Sequence, residues 1–277
     1  MIIDCHVHTN PQPQSKEELI KQIDIAGIDR IVLLSYSPAS FYRESVEDEI
    51  FGKPVTPALA LEQVMEWAAF SDRVIPFFWI DPLDGDAFAQ VDKAAAAGIA
   101  GFKVICNRFF PGDSRPMQVW EHIAKTNKPI LFHSGIFYGN GPWSQYSRPV
   151  GFEPLFEIPK LRFALAHVSW PWCDECLAVF GYWQNRTHRR TTSAEMFIDT
   201  TPGTPYIYRK EVFSKIYTIG CDIENNLIFG TDCTSKYSSD YAKRILAMDK
   251  EALDNTEVSA EQRDKYYGRN MLRFLYG

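Results

Sequence analysis

The sequence predicts an α/β fold, a (β/α)₈ TIM barrel that forms a single domain over residues 1–277. Local distortion of the barrel is compatible with this prediction. Three observations favour this fold class. The chain has 277 residues, close to the roughly 250 that are typical of one such barrel. It contains eight apolar runs of strand length that alternate with helix-like stretches. It contains no Gly/Ser linker, no low-complexity tract and no shift in composition that would mark a domain boundary.

The eight apolar runs are rich in Ile, Val, Leu and Phe and show little polar alternation, which is typical of strands buried on both faces of a parallel sheet. They are Met1–Val7, Arg30–Tyr36, Val74–Ile80, Gly101–Cys106, Pro129–Ser134, Leu161–Val168, Glu195–Thr200 and Leu227–Thr231. Because they alternate with helices, they predict a barrel or a doubly wound sheet. The first run is not followed by G-x-G-x-x-G, which disfavours a dinucleotide-binding sheet.

Helix-like stretches lie between these runs. Five of them predict helices, namely Ser15–Ala26, Ala58–Ser71, Asp86–Ala97, Met117–Thr126 and Asp240–Met248. Ser15 begins a capping-box pattern, and Gly27 and Gly98 stand where helix-ending glycines belong. Phe41–Pro57 and Ile136–Pro154 are predicted to be long loops, which in compact domains are often lids or binding loops. The aromatic and Arg-rich segment between the sixth and seventh runs gives no clear prediction.

The charge and cysteine pattern limits the partners that we expect. The net charge is −6 and no basic run occurs, so we expect no nucleic-acid partner. No window of about 18 apolar residues occurs, so we expect no membrane partner. No signal sequence precedes the first run, and six scattered cysteines form no disulfide pattern, so we expect a cytoplasmic protein. The expected partner is a small-molecule substrate, and formation of a homo-oligomer is left open.

Two histidines end the first run in the pattern Asp4-Cys5-His6-Val7-His8. Residues i, i+2 and i+4 of a strand share a face, so Asp4, His6 and His8 are expected to point the same way. The two imidazoles would lie about 7 Å apart along the strand and could reach one cation near its end. Because neutral imidazole is a common ligand of Zn²⁺, the pattern predicts a metal site.

Ionisable residues also close three later runs. His133 lies at the end of the fifth run, His167 at the end of the sixth and Asp232 directly after the eighth. Barrel active sites are assembled at this end, from several strands. The sequence therefore predicts that these side chains meet the two histidines of the first run at one rim. The remaining histidines, His122 and His188, lack this placement and are predicted to lie on the surface.

This ordered set of residues resembles the amidohydrolase superfamily and, more narrowly, its amidohydrolase-related (amidohydrolase 2) branch, which also contains metal-dependent decarboxylases. The set consists of His6-x-His8, His133, His167 and Gly230-Thr231-Asp232. Three further segments are similar to that branch, namely Gly101–Lys103, Phe197–Thr200 and Gly268–Leu272. The resemblance covers most of the chain and implies a metal-dependent enzyme.

The resemblance implies a role for each member of the set. His6, His8 and His133 would be nitrogen ligands of one divalent metal, expected to be Zn²⁺, and Asp232 would be an oxygen ligand. Asp232 would also take a proton from bound water, whose pKa such a metal lowers toward about 7. His167 would polarise or position the substrate carbonyl, or stabilise the developing oxyanion. Asp4 would either orient a ligand histidine by a hydrogen bond or be a solvent-linked carboxylate at the strand end.

Lys103 lies inside the fourth run, where a lysine is unusual. The favoured interpretation is an inward lysine that binds a substrate carboxylate or pairs with an acidic group. The alternative comes from the resemblance, since a lysine on this strand is carboxylated in binuclear relatives and bridges two metals. In that case His133 and His167 would both bind a second metal.

Arginine and aromatic residues that follow the strands are candidates for substrate binding. Arg108 and Arg148 follow the fourth and fifth runs and could form forked hydrogen bonds to a carboxylate. Trp143, Trp170 and Tyr138 follow the fifth and sixth runs and could line a pocket for a planar or cyclic substrate. Ordinary packing or solvation is the alternative for each of them.

Three functions are therefore considered. The first is a metal-dependent hydrolase that uses metal-activated water to cleave an ester, lactone or amide bond of a small carboxylated or cyclic substrate. The second is a metal-dependent, non-oxidative decarboxylase of an aromatic or unsaturated carboxylic acid. The third is a catalytically silent ligand-binding barrel, which the intact set of ligands and Asp232 disfavours.

Overall fold

A curved parallel sheet forms the centre of the computed structural model, which describes residues 1–41, 55–138 and 141–277. Its strands are β1 (Ile3–His8), β2 (Arg30–Leu34), β3 (Val74–Trp79), β4 (Gly101–Val104), β5 (Ile130–Phe132), β6 (Arg162–Leu165), β7 (Glu195–Asp199), β8 (Leu227–Ile228) and β9 (Cys233–Thr234). Within the described residues the order is β8-β7-β6-β5-β4-β3-β2-β1-β9, and each strand runs parallel to its neighbours. Each predicted run overlaps one of the first eight strands.

The sheet closes where the two ends of its strand order meet. β1 pairs with β9 through Val7 and His8, and the backbone N–H of Cys5 donates to the carbonyl oxygen of Phe229 over 2.9 Å. Phe229 directly follows β8, so β1 borders the same stretch of chain that borders β7 on its other side. The predicted (β/α)₈ barrel is thus confirmed, and its distortion lies at the eighth position, which is split into two short strands.

Helices pack against the sheet; within the described residues, the first six connect strands and the last three follow β9. They are α1 (Lys16–Ala26), α2 (Pro57–Phe70), α3 (Ala87–Ala97), α4 (Ser114–Lys125), α5 (Cys173–His188), α6 (Tyr206–Thr218), α7 (Ser239–Asn255), α8 (Ala260–Asp264) and α9 (Asn270–Tyr276). The hydroxyl of Ser15 caps α1, and Gly27 and Gly98 end α1 and α3 with left-handed backbone, as predicted. Among the described residues, no helix is long and apolar enough to cross a membrane.

One of the two predicted loops, Phe41–Pro57, lies mostly outside the described residues. The other, Ile136–Pro154, includes the 3₁₀ segment Trp143–Ser147 and the start of a second one, Pro149–Glu157, which extends past the predicted end of the loop. The segment after β6 that gave no clear prediction is the 16-residue helix α5. Acidic residues in its first turn and basic residues in its last turn complement the helix dipole.

Two apolar layers build the barrel, one inside the sheet and one between the sheet and its helices. The inner layer contains Ile3, Cys5, Val32, Leu34, Ile75, Phe77, Leu131, Ala164, Ala166, Phe197 and Ile228, and α9 adds Met271, Phe274 and Leu275. The carbonyl of Phe274 accepts a hydrogen bond from Arg162 at the start of β6, so α9 lies at the N-terminal ends of the strands. The C-terminal ends are therefore the face available for polar side chains.

A buried ion pair joins α6 to α7 beside the end of β7. The guanidinium of Arg209 donates to Asp249, and its Nη1 donates to the carbonyl of Thr200 over 2.9 Å. The hydroxyl of Tyr266 donates to the second oxygen of Asp249 over 2.7 Å and lies 2.6 Å from the hydroxyl of Thr200. The side chains of Arg209 and Asp249 are 2% and 0% exposed, so each buried charge is compensated by the opposite charge of its partner.

We therefore expect Asp249→Ala to lower the free energy of unfolding by about 3–5 kcal/mol, because it leaves the Arg209 charge buried and unpaired. Urea denaturation followed by circular dichroism measures this change. The control is Asp254→Ala in the same helix, where the carboxylate is 47% exposed and pairs with Lys250 and Arg263. That surface variant should lose less than about 1 kcal/mol. Equal losses in the two variants would show that the buried pair has no special role.

Candidate metal centre

Three of the four predicted ligands converge at the C-terminal end of β1. The ligand atoms of His6, His8 and Asp232 all lie within 4.8 Å of one another. His6 Nε2 lies 3.1 Å from His8 Nε2, and Asp232 Oδ1 lies 3.6 Å and 3.5 Å from these two nitrogens. Ligand atoms about 2.1 Å from a tetrahedral ion lie about 3.4 Å apart. The spacing of the three atoms therefore fits one cation between them.

A close approach of two chain segments makes this convergence possible. Gly230 lies against both the chain that follows β7 and the first strand: a Cβ at this position would be 2.4 Å from Thr201 Cγ2 and 3.2 Å from His6 Cβ. A larger residue would collide with Thr201 and shift the eighth segment from its place beside His6. Asp232, two residues later, has a left-handed backbone with φ 58°, and it is this turned residue that reaches the two imidazoles.

Asp199, at the end of β7, orients the ring of His6. Its Oδ2 lies 2.7 Å from His6 Nδ1, and its Oδ1 accepts a hydrogen bond of 2.6 Å from the backbone N–H of Thr201. Because a carboxylate accepts, we assign the ring proton to Nδ1, which leaves the lone pair of Nε2 directed toward His8 and Asp232. Asp199 is not among the site residues that the sequence predicts. The signal was present, since a carboxylate closes an apolar run there, as Asp232 does after the eighth run.

Asp4 contacts His6 through the backbone rather than through the ring. Its Oδ1 accepts hydrogen bonds from the backbone N–H groups of His6 over 3.2 Å and Thr231 over 2.9 Å, and Tyr237 donates to Oδ2 over 3.0 Å. The register of β1 against β2 is irregular between Asp4 and Val7, so the strict alternation assumed from the sequence does not hold. Burial raises the pKa of Asp4 to about 6, although the hydrogen bonds from Thr231 oppose this shift.

Lys103 points into the barrel, as predicted for an inward lysine. It is fully buried, and its Nζ lies 3.1 Å from His6 Nε2. Burial lowers the pKa of Lys103 to about 8, although Asp199 and Asp232 oppose this shift. The ammonium donates to the same nitrogen lone pair that a cation would use, so the lysine must turn away or lose its proton when a cation binds. Carboxylation of Lys103 stays a prediction.

His133 and His167 lie beside the cluster of three. The ring of His167 contacts the rings of His6 and His133, with centroid distances of 5.4 Å and 5.0 Å. Thr201 Oγ1 lies 2.9 Å from Nδ1 of His167. Nε2 of His133 is buried and has no hydrogen-bond partner among the described residues. His133 is not among the ligand atoms that converge, but its unsatisfied buried nitrogen lies on a ring that contacts His167, which in turn contacts His6.

The charges of these groups also suit a cation. Burial lowers the pKa of His6 and His133 well below the ordinary value and lowers the pKa of His8 and His167, so the imidazoles are neutral near pH 7. Burial opposes the charge of Asp232, but the hydrogen bond with His8 and the interactions with His6 and His167 together outweigh this effect and hold the pKa of the carboxyl well below its ordinary value. Neutral imidazoles with an ionised carboxylate form a donor set that divalent transition metals prefer.

Aromatic side chains cover one side of the cluster. Phe41, Trp79, Trp143 and Phe137 pack together with Ile105. The ring of Trp79 lies 5.7 Å from that of His8, and the ring of Phe137 lies 5.4 Å from that of His133. Trp143, one of the predicted pocket residues, is 2% exposed within this group. The candidate centre is thus bordered on one side by a packed group of aromatic rings that are tilted or edge-on to one another.

The two predicted arginines already have partners in the protein. Arg108 donates to Asp81 over 2.5 Å and to Asn107 over 3.3 Å. Arg148 donates to Glu175 over 2.8 Å, and its side chain is 53% exposed. Binding of a substrate carboxylate by either arginine stays a prediction that would require one of these pairs to open.

Comparison with known proteins gives a family and a set of similar folds. A model of the amidohydrolase family matches residues 3–276 of the chain. No curated protein matches the chain significantly in sequence. A probable 2-pyrone-4,6-dicarboxylic acid hydrolase from Acinetobacter baumannii, with citric acid bound, superimposes with a TM-score of 0.60 at 12% identity, over 99% of this chain and 98% of that one.

Two further solved structures have similar folds. Dihydroorotase from Campylobacter jejuni gives a TM-score of 0.57 at 14% identity, over 98% of this chain and 82% of that one. Amidohydrolase 2 from Bifidobacterium longum subsp. infantis gives a TM-score of 0.57 at 11% identity, over 100% of this chain and 99% of that one. At these identities the similarity concerns the fold alone, whereas the family match concerns nearly the whole sequence. The chain therefore belongs to the amidohydrolase family, as an enzyme of the hydrolase type with decarboxylation as the alternative chemistry.

Proposed function

We propose that this protein cleaves an ester, lactone or amide bond of a small cyclic or carboxylated substrate with the help of one divalent cation, Zn²⁺. His6, His8 and Asp232 would hold the cation, and His133 would be the fourth ligand. The observation that carries the proposal is the convergence of three ligand atoms within 4.8 Å of one another at the C-terminal rim of a barrel. When bound, the metal would activate water and polarise the substrate carbonyl.

The chain's own residues supply the proton transfers and the orientation. Asp232 is ionised and 33% exposed, so its carboxylate can accept a proton from the attacking water and pass it to the leaving group. His167 lies beside His6, held by Thr201, where its ring can donate to the substrate oxygen as negative charge develops. Asp199 keeps the ring of His6 in one orientation.

The lining of the centre supports a flat substrate that carries a negative charge. The aromatic group of Phe41, Trp79, Trp143 and Phe137 offers apolar contact to a ring. Lys103, once its ammonium turns away from His6 to make room for the metal, suits a substrate carboxylate. The name of the Acinetobacter baumannii relative denotes a lactone ring with two carboxyl groups, which agrees with this chemistry. A decarboxylase would use the same residues, because a carboxylate near Lys103 could also be the group that leaves.

A substrate screen separates the two reactions. The metal-loaded protein is incubated with lactones, anilides and aromatic carboxylic acids, and both hydrolysis products and CO₂ are measured. We expect hydrolysis of at least one lactone or amide without CO₂. Release of CO₂ from an aromatic acid, with no hydrolysis of the other compounds, would replace the hydrolase by the decarboxylase.

We expect His6→Ala to lower the metal content of the purified protein, because it removes one of three converging donors. Elemental analysis by mass spectrometry measures the bound metal per chain. His122→Ala is the matched control, since His122 pairs with Asp92 away from the centre. An unchanged metal content in His6→Ala would remove His6 from the ligand set.

We expect Asp232→Asn to reduce turnover by at least about a hundredfold, because an amide cannot take the proton. Steady-state kinetics on a substrate found in the screen measures this loss, and circular dichroism checks that the fold persists. Asp254→Asn, a surface substitution, should leave turnover unchanged. Near-normal turnover in Asp232→Asn would refute its role as proton acceptor.

We expect Asp199→Asn to weaken metal affinity by about 10- to 100-fold, because the ring of His6 loses its charged partner. Competition with a chromophoric chelator measures the dissociation constant. Asp4→Asn is the matched control, because Asp4 is also buried and bonded to His6, but through the backbone. The contrary result is a loss of metal affinity in Asp4→Asn that equals or exceeds the loss in Asp199→Asn.

A further inference from the structure

Three aromatic rings from the connections that follow three consecutive strands lie in a row at the rim of the barrel. Tyr138 follows β5, Trp170 follows β6, and Tyr208 lies in the first turn of α6, after β7. The rings of Tyr138 and Trp170 are nearly parallel, at 16°, with centroids 6.5 Å apart. The rings of Trp170 and Tyr208 also have centroids 6.5 Å apart, at 38°. We call these three residues the aromatic row.

The two outer rings of the aromatic row are open to solvent, and Trp170 between them is half-buried against the core. Tyr138 is 76% exposed and Tyr208 is 47% exposed, and the neighbouring Ile207 is 77% exposed. Single exposed apolar residues are ordinary, but a contiguous group of large ones on a protein surface commonly marks a binding site. The aromatic row is therefore a contiguous exposed aromatic patch rather than a set of isolated exposed side chains.

Backbone contacts tie the aromatic row to the candidate metal centre. The N–H of Trp170 donates to the carbonyl of His167 over 3.0 Å, and the carbonyl of Trp170 accepts from Ile136 over 2.7 Å. Gly135 approaches this carbonyl so closely that a Cβ would lie 2.4 Å from its oxygen. Phe137, which directly precedes Tyr138, contacts the ring of His133. The row therefore continues outward from the two histidines beside the cluster.

The chemistry of the aromatic row differs from that of the centre. None of its three side chains is charged near neutral pH, whereas the centre contains Lys103 and Asp232. Aromatic faces bind flat, uncharged rings by stacking and by burial of apolar area. A ligand that reaches both regions must have a polar, carbonyl-bearing end and a flat, uncharged extension.

We propose that the aromatic row is a second subsite, which binds a planar aryl extension of the substrate while the carbonyl end occupies the metal centre. This inference rests on the proposed function for the carbonyl end. It narrows the proposed substrate class to esters, lactones or amides that carry an aryl group in addition to the carbonyl end.

The test compares two probes that share a carboxylate, namely naphthalene-2-carboxylate and propanoate, by isothermal titration calorimetry on the metal-loaded protein. We expect Tyr138→Ala and Tyr208→Ala each to weaken binding of the naphthalene probe by about three- to tenfold and to leave the propanoate constant unchanged. Both side chains are exposed, so the fold should persist. Tyr276→Ala, also at an exposed tyrosine, is the control and should change neither constant.

The readout is binding, so it is separate from the test of turnover. Ring-dependent binding without any turnover would overturn the proposed hydrolase and leave the subsite standing. Equal dissociation constants of the naphthalene probe for the native protein and both row variants would overturn the subsite, even if turnover is found.

Sedimentation of the same variants tests whether the row contacts another protein chain instead. Loss of a dimer in the row variants, with unchanged binding, would show that the row contacts a second copy of the chain, and the proposal would be wrong.

Discussion

The hydrogen bond between Asp199 and His6 is the contact on which the candidate centre depends. It joins the end of β7 to β1, two segments that lie 193 residues apart in the sequence. Both side chains are fully buried, and a buried carboxylate is costly unless it is paired or hydrogen-bonded, so the contact is strongly favoured once the barrel has closed. It also fixes which nitrogen of His6 faces His8 and Asp232. The next residue but one, Thr201, contacts His167, so one strand end orients two imidazoles.

The rest of the barrel holds this strand end in place. α9 covers the N-terminal ends of the strands and completes the inner apolar layer. That end of the barrel is therefore filled with apolar side chains, and the polar groups of the site lie at the C-terminal ends. The buried pair of Arg209 and Asp249 binds the carbonyl of Thr200, directly after Asp199. Gly230 allows the eighth segment to lie against His6. Packing and a few buried polar contacts thus fix the positions of the metal-ligating side chains at the rim of the barrel.

Periodicity and composition were sufficient to predict the strands and the rim on which the site lies, but they did not show local departures from regular geometry. The sixth run was predicted to extend to Val168, whereas β6 ends at Leu165, because His167, Val168 and Ser169 have left-handed backbone that apolar composition does not reveal. The register of β1 against β2 is irregular between Asp4 and Val7, so Asp4 contacts the backbone of His6 and not its ring. The sequence pattern does not reveal this irregularity either. Asp199 was overlooked because its importance comes from a partner in a distant strand. Local pattern places Asp199 at the same rim as Asp232, but it does not show which imidazole the carboxylate will contact.

His6, His8 and Asp232 are proposed to bind one divalent cation. Anomalous diffraction at the zinc edge, from crystals of the native protein grown with equimolar Zn²⁺, tests this binding most directly. We expect one strong peak about 2.0–2.2 Å from His6 Nε2, His8 Nε2 and an Asp232 oxygen. A peak elsewhere in the molecule, or the absence of any peak at this rim in zinc-replete crystals, would contradict it.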